Sequence, residues 1–369
     1  MTTTHLAPPP ERTPPEAAGS SSLALTAGRL PKGAPWYVLG GSLVIAAALF
    51  GILAMASGEF NWGGWLVVGA LLYVFAIWLL SFIVEGSRRA TDRFVTALVT
   101  GAFVVAMIPL ISVTITVVVN GLARLDLQFF TESMRNVSGE GGGALHAIVG
   151  TLLITLAAAV ISIPIGLMTS IYLVEYGRGA LARGITFLVD VMTGIPSIVA
   201  GLFAYALFAI FWGAGTRTGI AGAVALSVLM IPVVVRSSEE MLRLVPNELR
   251  EASYALGVPK WLTIVKVVLP TSIAGIMTGV TLAIARVIGE TAPLLVAAGF
   301  TASMNYNLFD GPMNSLPLFV YTQYTQQGIP QHAYLDRAWT AALILILIVM
   351  LLNLLARAIS RFLAPKFGR

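Results

Sequence analysis

The sequence predicts an all-α, polytopic membrane protein with eight transmembrane helices. Of its 369 residues, 57% are hydrophobic and 11% are charged, whereas a soluble domain carries about 25% charged residues. The mean hydropathy is +0.88. A helix needs about 20 mainly apolar residues to cross a bilayer. The chain contains eight such runs, which are Trp36–Ala56, Trp62–Val84, Phe94–Val119, Leu145–Val174, Ile185–Trp212, Ile220–Val235, Val267–Ala298 and Ala338–Ala356.

The chain divides into three predicted parts. Residues 1–35 are rich in Pro, Ala, Ser, Thr and Gly without helical periodicity, which is typical of a disordered tail. The first two apolar runs, joined by a short loop, form a hairpin over residues 36–90, and the other six form a domain over residues 91–369. Within that domain, the glycine-rich segment Gly139–Gly143 is predicted to be a flexible joint, because no Lys-Ser/Thr follows it as in a phosphate-binding loop.

Basic residues set the predicted orientation in the membrane. Seventeen of the 22 Lys and Arg residues fall in segments that are cytoplasmic if the N-terminus is inside, four fall in external segments, and Arg286 lies within a span. Positive residues collect on the cytoplasmic side of membrane proteins, so both termini are predicted to be cytoplasmic. The same distribution explains the pI of about 9.6 without a nucleic-acid partner.

Composition also excludes several kinds of chemistry. The chain has no cysteine, so it offers no disulfide, thiolate ligand or thiol nucleophile. Its three histidines are far apart in sequence, and no metal site is predicted. None of its lysines follows a glycine, as a phosphate-cradling Gly-Lys loop requires, so the chain is predicted to lack an ATPase site and to be no enzyme by itself.

A polar interruption between two apolar runs, Glu251–Pro270, is predicted to fold as helix, turn and helix. Pro246 and the acidic residues Glu248 and Glu251 favour a helix start. Gly257 ends that helix, and the Val258-Pro259 pair restarts the chain.

This interruption resembles the EAA motif of ATP-driven membrane importers, written Glu-Ala-Ala, three residues, Gly, nine residues, Ile-x-Leu-Pro. Five residues match at full spacing, namely Glu251, Ala252, Gly257, Leu269 and Pro270, while Ser253 and Val267 depart from the pattern. The resemblance implies a coupling loop, about residues 237–266, that sits in a cleft on a separate cytoplasmic ATPase. An ordinary helical loop is the alternative.

Arg286 and Glu290 lie within the seventh apolar run, four residues apart, and are predicted to share one helix face. An arginine at the bilayer centre costs at least about 2.5–3.5 kcal/mol, so it should face a partner or a wet pathway. Its planar guanidinium suits an oxyanion. A structural Arg–Glu pair between helices is the alternative.

Several segments resemble the PstA-type permease of phosphate-specific ABC importers, over roughly residues 93–357. They are Glu140–Leu145, Ile171–Arg178, Pro196–Phe203, Ile231–Pro246 and Ala285–Leu295. The resemblance implies that Arg286, Glu290 and Arg236 serve phosphate passage, although Arg236 could be an ordinary basic anchor. Asp190 has no motif support and is predicted to be a polar group near a helix end.

The resemblance implies a type I ABC importer permease, a multi-pass subunit of the bacterial cytoplasmic membrane that passes inorganic phosphate by alternating access. Its implied partners are a cytoplasmic ATPase dimer, which would bind ATP and Mg, a second homologous permease and an external phosphate-binding protein, besides membrane lipid. No cofactor is predicted in this chain. Two alternatives remain: a permease for sulfate or molybdate, and a secondary transporter or channel.

Overall fold

A computed structural model of the chain describes residues 30–363, whose regular secondary structure is helical without any β-strand. The predicted tail, residues 1–35, therefore lies mostly outside the described residues. The first helix begins at Ala34, in the last part of that predicted tail. The helices are α1 (Ala34–Ser57), α2 (Trp62–Glu85), α3 (Ser87–Gly121), α4 (Leu127–Thr131), α5 (Leu145–Ile171), α6 (Gly179–Thr193), α7 (Ser197–Trp212), α8 (Gly219–Arg243), α9 (Asn247–Ala255), α10 (Lys260–Thr263), α11 (Leu269–Val287), α12 (Ala292–Ala297), α13 (Leu316–Thr325) and α14 (Gln331–Leu363). Two π-helical segments, Tyr172–Tyr176 and Ile264–Val268, continue α5 and α10.

Within residues 30–363, seven helices are long and apolar enough to cross a membrane, and one bent pair brings the number to eight. The seven are α1, α2, α3, α5 with its π segment, α8, the continuous segment Lys260–Val287, and α14. The predicted all-α membrane fold is confirmed.

The fifth apolar run does not form the single helix that the sequence predicts. It is divided between α6 and α7, and the chain bends by 109° from one helix to the next. The break falls at Gly194-Ile195-Pro196, because proline lacks an N–H and pushes the preceding residue out of the helical region. With its 16 residues, α7 spans only about 24 Å, at 1.5 Å per residue.

The seventh run is broken as well. The helix α11 ends at Val287, residues 289–291 are not helical, and the short α12 begins at Ala292 with Pro293 in its first turn. Glu290 lies in this break, so the prediction that Arg286 and Glu290 share one helix face is wrong. Gly289 within the break and Pro293 after it explain why the apolar pattern continues while the helix does not.

The chain forms two compact units, which divide after Val113. In the first unit α1 packs against α2, and Trp65 Nε1 donates a hydrogen bond of 2.9 Å to the Leu43 carbonyl. Beyond the end of α2, Arg93 donates two hydrogen bonds, of 2.7 and 3.0 Å, to the Glu85 carboxylate. This division falls inside α3 and does not mark the end of a helix. The predicted domain boundary at residues 90/91 therefore stays a prediction.

The second unit is built around α5, α8 and α11, which cross at small residues. Gly166 of α5 lies against Val234 of α8, and Gly279 of α11 lies against Ser237 of α8. A side chain at either glycine would overlap its neighbour, so these contacts require glycine. Around them packs an apolar core that includes Ile154, Leu226, Met230, Val268, Ile276 and Val287.

Arg337, near the start of α14, is fully buried. Its guanidinium donates to the Gln323 side chain at 2.9 Å and to the carbonyls of Gly139 and Gly141 at 2.6 and 3.0 Å. It also lies 4.5 Å from the centre of the Tyr334 ring. The glycine-rich segment, predicted to be a flexible joint, is instead tied to α13 and α14 by the Arg337 side chain.

Candidate functional site

The loop predicted to couple to an ATPase folds as helix, turn and helix. The helix α8 continues through the first residues of the predicted loop to Arg243, and α9 follows directly on Pro246 with Glu248 in its first turn. After the turn at Gly257, α10 and the π segment lead into α11, which starts at Leu269-Pro270. The structure therefore divides the motif between two helical arms: Glu251 and Ala252 lie on α9, and Leu269 and Pro270 lie in the continuous segment that begins with α10 and forms the next membrane span.

Gly257 makes the turn possible. Its φ is +76°, in the left-handed region that favours glycine, and its N–H donates to the Tyr254 carbonyl at 2.9 Å. No atom lies within 4 Å of the position that an added Cβ would take. Glycine is needed here for its backbone conformation and not for space.

The two arms are joined by a hydrogen bond between hydroxyl groups. The side chains of Ser253 on α9 and Thr263 on α10 lie 2.8 Å apart in a buried contact. Ser253 stands where the importer motif has its second alanine, so the departure from the pattern provides a polar contact between the arms.

Arg250 ties the loop to the end of α5. Its Nε and Nη2 both donate to Glu175 Oε1, at 3.0 and 2.9 Å, and its side chain also bonds the carbonyls of Val245 and Leu242. Lys260 donates to the Glu175 carbonyl and lies 4.8 Å from the centre of the Tyr176 ring. Sequence reasoning missed Glu175 and Arg250, although Glu175 lies within a segment of the resemblance.

The loop leaves a mixed surface exposed. Glu251 and Ala252 are exposed on α9, and Pro270 is exposed at the start of α11, while Leu269 is half-buried. Large apolar side chains join them, and Leu256 is the most open of these at 84% exposed. The others are Tyr254, Trp261 and Val265. Exposed apolar side chains gathered on one surface are typical of contact with another protein or with lipid.

Arg286 and Glu290 do not form an ion pair. Arg286 is exposed in the last turn of α11, and Glu290 is half-buried in the break that follows. Among the residues that the structure describes, neither side chain has an ion-pair partner within 4 Å. Within residues 30–363, the guanidinium of Arg286 is therefore not neutralised by a carboxylate.

Arg236, in contrast, is held by two carboxylates. Its Nη1 donates to Glu239 one turn later at 3.0 Å, and its Nη2 donates to Asp190 on α6. Glu239 also accepts a bond of 2.6 Å from Arg243. Asp190, predicted to be only a helix-end group, is thus the partner of a predicted site residue 46 positions away.

The two arginines lie at different heights in the bundle. Gly279 of α11 packs on Ser237, the neighbour of Arg236. Arg286 follows Gly279 by two turns of the same helix, about 10 Å at 1.5 Å per residue. The structure does not bring Arg236 and Arg286 into one site. It places them at two levels along the contact between α8 and α11.

In the described part of the chain, no group of three or more His, Asp or Glu side chains could hold a metal ion.

Comparisons with known proteins show what the chain is similar to. A family model described as "binding-protein-dependent transport system inner membrane component" matches residues 162–369. The phosphate transport system permease protein PstA 1 of Mycobacterium tuberculosis is 50% identical over 285 residues, which cover 76% of this chain and 91% of that protein. The protein PstA of Yersinia pestis is 39% identical over 273 residues, covering 74% and 90% respectively.

A solved structure of a bacterial alginate ABC transporter, in complex with alginate pentasaccharide-bound periplasmic protein, contains a similarly folded chain. The TM-score is 0.53 at 12% identity, and the match covers 76% of this chain and 97% of the other. At that identity the likeness concerns the fold alone. Together, the matching family model and the two PstA proteins confirm the resemblance seen in the sequence, and the chain belongs to the PstA family of phosphate transport system permease proteins.

Proposed function

We propose that this chain is the permease subunit of an ATP-driven importer that moves inorganic phosphate across the cytoplasmic membrane by alternating access. The observation that carries the proposal is the exposed loop around Gly257. It is a helix–turn–helix with the residue spacing of the EAA motif of ATP-driven importers, and it connects two apolar spans. Relatives at 39–50% identity that are named phosphate transport permeases support phosphate as the substrate.

The loop is the proposed contact with the ATPase. Glu251 and Ala252 on α9 and the turn at Gly257 face the cleft of the partner, and Leu269-Pro270 begins α11 within the span that follows. Arg250 bonds Glu175 at the end of α5, and Ser253 bonds Thr263 on α10, so movement of α9 is transmitted to two spans. A charged helix end beside exposed apolar side chains suits a protein interface with an apolar centre and a polar rim.

Phosphate passage is assigned to Arg286, Glu290 and Arg236. The uncompensated guanidinium of Arg286 can give an oxyanion bidentate, charge-assisted hydrogen bonds. Glu290, three residues beyond the end of α11, reduces the net positive charge near that arginine without bonding to it. Arg236 lies two helical turns away along the α8–α11 contact and offers a second level for the anion.

The assembly and its orientation complete the proposal. The chain works with a second permease of its own kind, a cytoplasmic ATPase dimer that binds ATP and Mg, and an external phosphate-binding protein. Both termini and the loop around Gly257 are cytoplasmic, since 17 of the 22 basic residues then lie inside. The chain itself is a transport subunit, and ATP hydrolysis belongs to its partner.

Reconstitution of the whole complex in lipid vesicles tests this function. Phosphate delivered by the external binding protein should stimulate ATP hydrolysis and enter the vesicle only when ATP is present. Stimulation by sulfate or molybdate but not by phosphate would assign another oxyanion. Phosphate uptake that persists without ATP would indicate a secondary transporter or channel.

A further inference from the structure

The carboxylate of Asp190 occupies a donor edge of the Arg236 guanidinium. The two residues come from different helices, α6 and α8, and the other edge of the guanidinium bonds Glu239 at 3.0 Å. A guanidinium presents its N–H groups as a rigid fork that fits a carboxylate or a phosphate in the same way. The position that Asp190 takes is therefore one that a phosphate oxygen would take.

The two acids differ in how firmly they are held. The Glu239 side chain is 7% exposed and bridges two arginines, Arg236 and Arg243. The Asp190 side chain is 59% exposed, and Arg236 is its one ion-pair partner among the described residues. Glu239 would lose a buried, charge-assisted hydrogen bond if it left Arg236. Asp190 is therefore the acid that can be displaced.

The contact between α6 and α8 does not depend on this ion pair. Val189 and Val235, the chain neighbours of Asp190 and Arg236, are buried together in one apolar cluster with Leu173. Apolar packing there continues whether or not the guanidinium is bonded, so the pair is free to open without separating the helices.

A cleft beside the pair offers room for a leaving anion. Its volume is about 420 Å³, and its polar lining consists of Arg183, Thr186, Asp190, Glu239 and Arg243. Arg183, Thr186 and Asp190 lie on one face of α6, at positions i, i+3 and i+7. Arg183 has no hydrogen bond or ion pair within the described part of the chain, so the cleft contains a cation that is not neutralised.

We propose that Asp190 is a resident anion for Arg236, which holds the guanidinium between transport events and is displaced by phosphate during passage into this cleft. The inference rests on the proposed function. When phosphate leaves, the carboxylate returns, so Arg236 is neither left as an unpaired cation nor kept loaded with phosphate. Asp190 is thus a positioning residue, and its effect is on phosphate release.

The variant Asp190→Asn keeps the size and removes the charge. In the nucleotide-free complex, binding of radiolabelled phosphate should tighten roughly twofold to fivefold (about 0.5–1 kcal/mol, at about 1.4 kcal/mol for a tenfold change). The maximal rate of ATP-driven phosphate uptake should fall, because release is slowed. A purely structural pair would lower the rate without tightening phosphate binding.

The matched control is Asp126→Asn. Asp126 is also an exposed aspartate paired with an arginine, 3.1 Å from Arg124 Nε, but it caps α4, and asparagine caps a helix equally well. Its phosphate binding and uptake should equal those of the wild type. Asp190→Glu, which keeps the charge, should stay close to the wild type.

Chemical modification after assembly gives a second test, since the native chain has no cysteine. In an assembled complex with Asp190→Cys, a thiol reagent that adds a sulfonate should restore wild-type phosphate binding, whereas a neutral reagent of similar size should leave it tight. The wild-type complex treated with both reagents controls for cysteines of the partner subunits.

Three outcomes separate the possibilities. If the wild-type complex imports phosphate and Asp190→Asn binds and transports it unchanged, the role of Asp190 is refuted while the proposed function stands. Failure of both the Asn and the Cys variants to co-purify with their partners would assign the pair to the fold. A wild-type complex that imports no phosphate would overturn the proposed function itself.

Discussion

Arg250 and Glu175 form a buried ion pair that joins the loop around Gly257 to the end of α5. Two nitrogens of one guanidinium bond one carboxylate oxygen, and the side chains are only 12% and 5% exposed. The residues are 75 positions apart in sequence. The pair is thus the polar link between the proposed ATPase contact and the core of the bundle.

Removing the arginine of this pair should weaken both stability and coupling. Arg250→Met leaves the Glu175 carboxylate buried without its partner, and breaking a buried pair costs about 3–5 kcal/mol. We expect a lower Tm of the solubilised complex and less phosphate moved per ATP hydrolysed. Arg135→Met, at an exposed arginine of a predicted external segment, is the control. Unchanged Tm and stoichiometry in Arg250→Met would contradict the link.

Gly257 should be required for its backbone conformation. Gly257→Pro forces a negative φ and removes the N–H that bonds Tyr254, so we expect the chain to reach the membrane but to lose ATP-driven import. Gly257→Ala and Gly184→Ala form a matched pair, because an added Cβ meets no atom within 4 Å at either position and only Gly257 has positive φ. Phosphate uptake should fall in the first and not in the second. Equal uptake in the two alanine variants would count against the turn.

Arg286 should serve the substrate and not the fold. Arg286→Lys keeps the charge but loses the bidentate fork, so we expect assembly with poor phosphate import, and Arg286→Gln should lose import almost entirely. Co-purification of the ATPase monitors assembly. Because Arg286 and Glu290 form no ion pair, exchanging their charges with Arg286→Glu and Glu290→Arg should not restore uptake. Rescue by this exchange would return the two residues to a structural role.

Orientation can be tested with single cysteines at exposed positions. Ser138 and Arg178 are both exposed, and the predicted topology places the first outside and the second inside. In intact cells, an impermeant thiol reagent should label Ser138→Cys and leave Arg178→Cys unmodified until the membrane is opened. Labelling of Arg178→Cys from outside would reverse the proposed orientation.

Apolar run length was sufficient to predict the spans but not their continuity. Pro196 and Pro293 lie in long, mainly apolar runs, where hydropathy does not reveal whether a proline bends a helix or ends it. Neighbouring helices decide that outcome, since they can satisfy the backbone groups that proline frees. The 109° bend before Ser197 and the break at Glu290 could therefore not be predicted from the sequence.

Motif spacing predicted the loop because its parts are local. Helix, glycine turn and helix depend on residues within about one turn of each other, as the φ of Gly257 shows. The partners of site residues are not local: Arg250 meets Glu175 and Arg236 meets Asp190 only after the spans pack. One sequence contains no signal for such pairs, so both acids were missed as partners.

Arg337 fixes two carbonyls of the Gly139–Gly143 turn from within the chain itself. Fixing the backbone of one flexible residue costs roughly 1–2 kcal/mol in conformational entropy. Here the ordering is already complete, because the carbonyls of Gly139 and Gly141 are bonded to a buried guanidinium. The backbone of this turn would therefore lose little further conformational entropy on contact with another molecule.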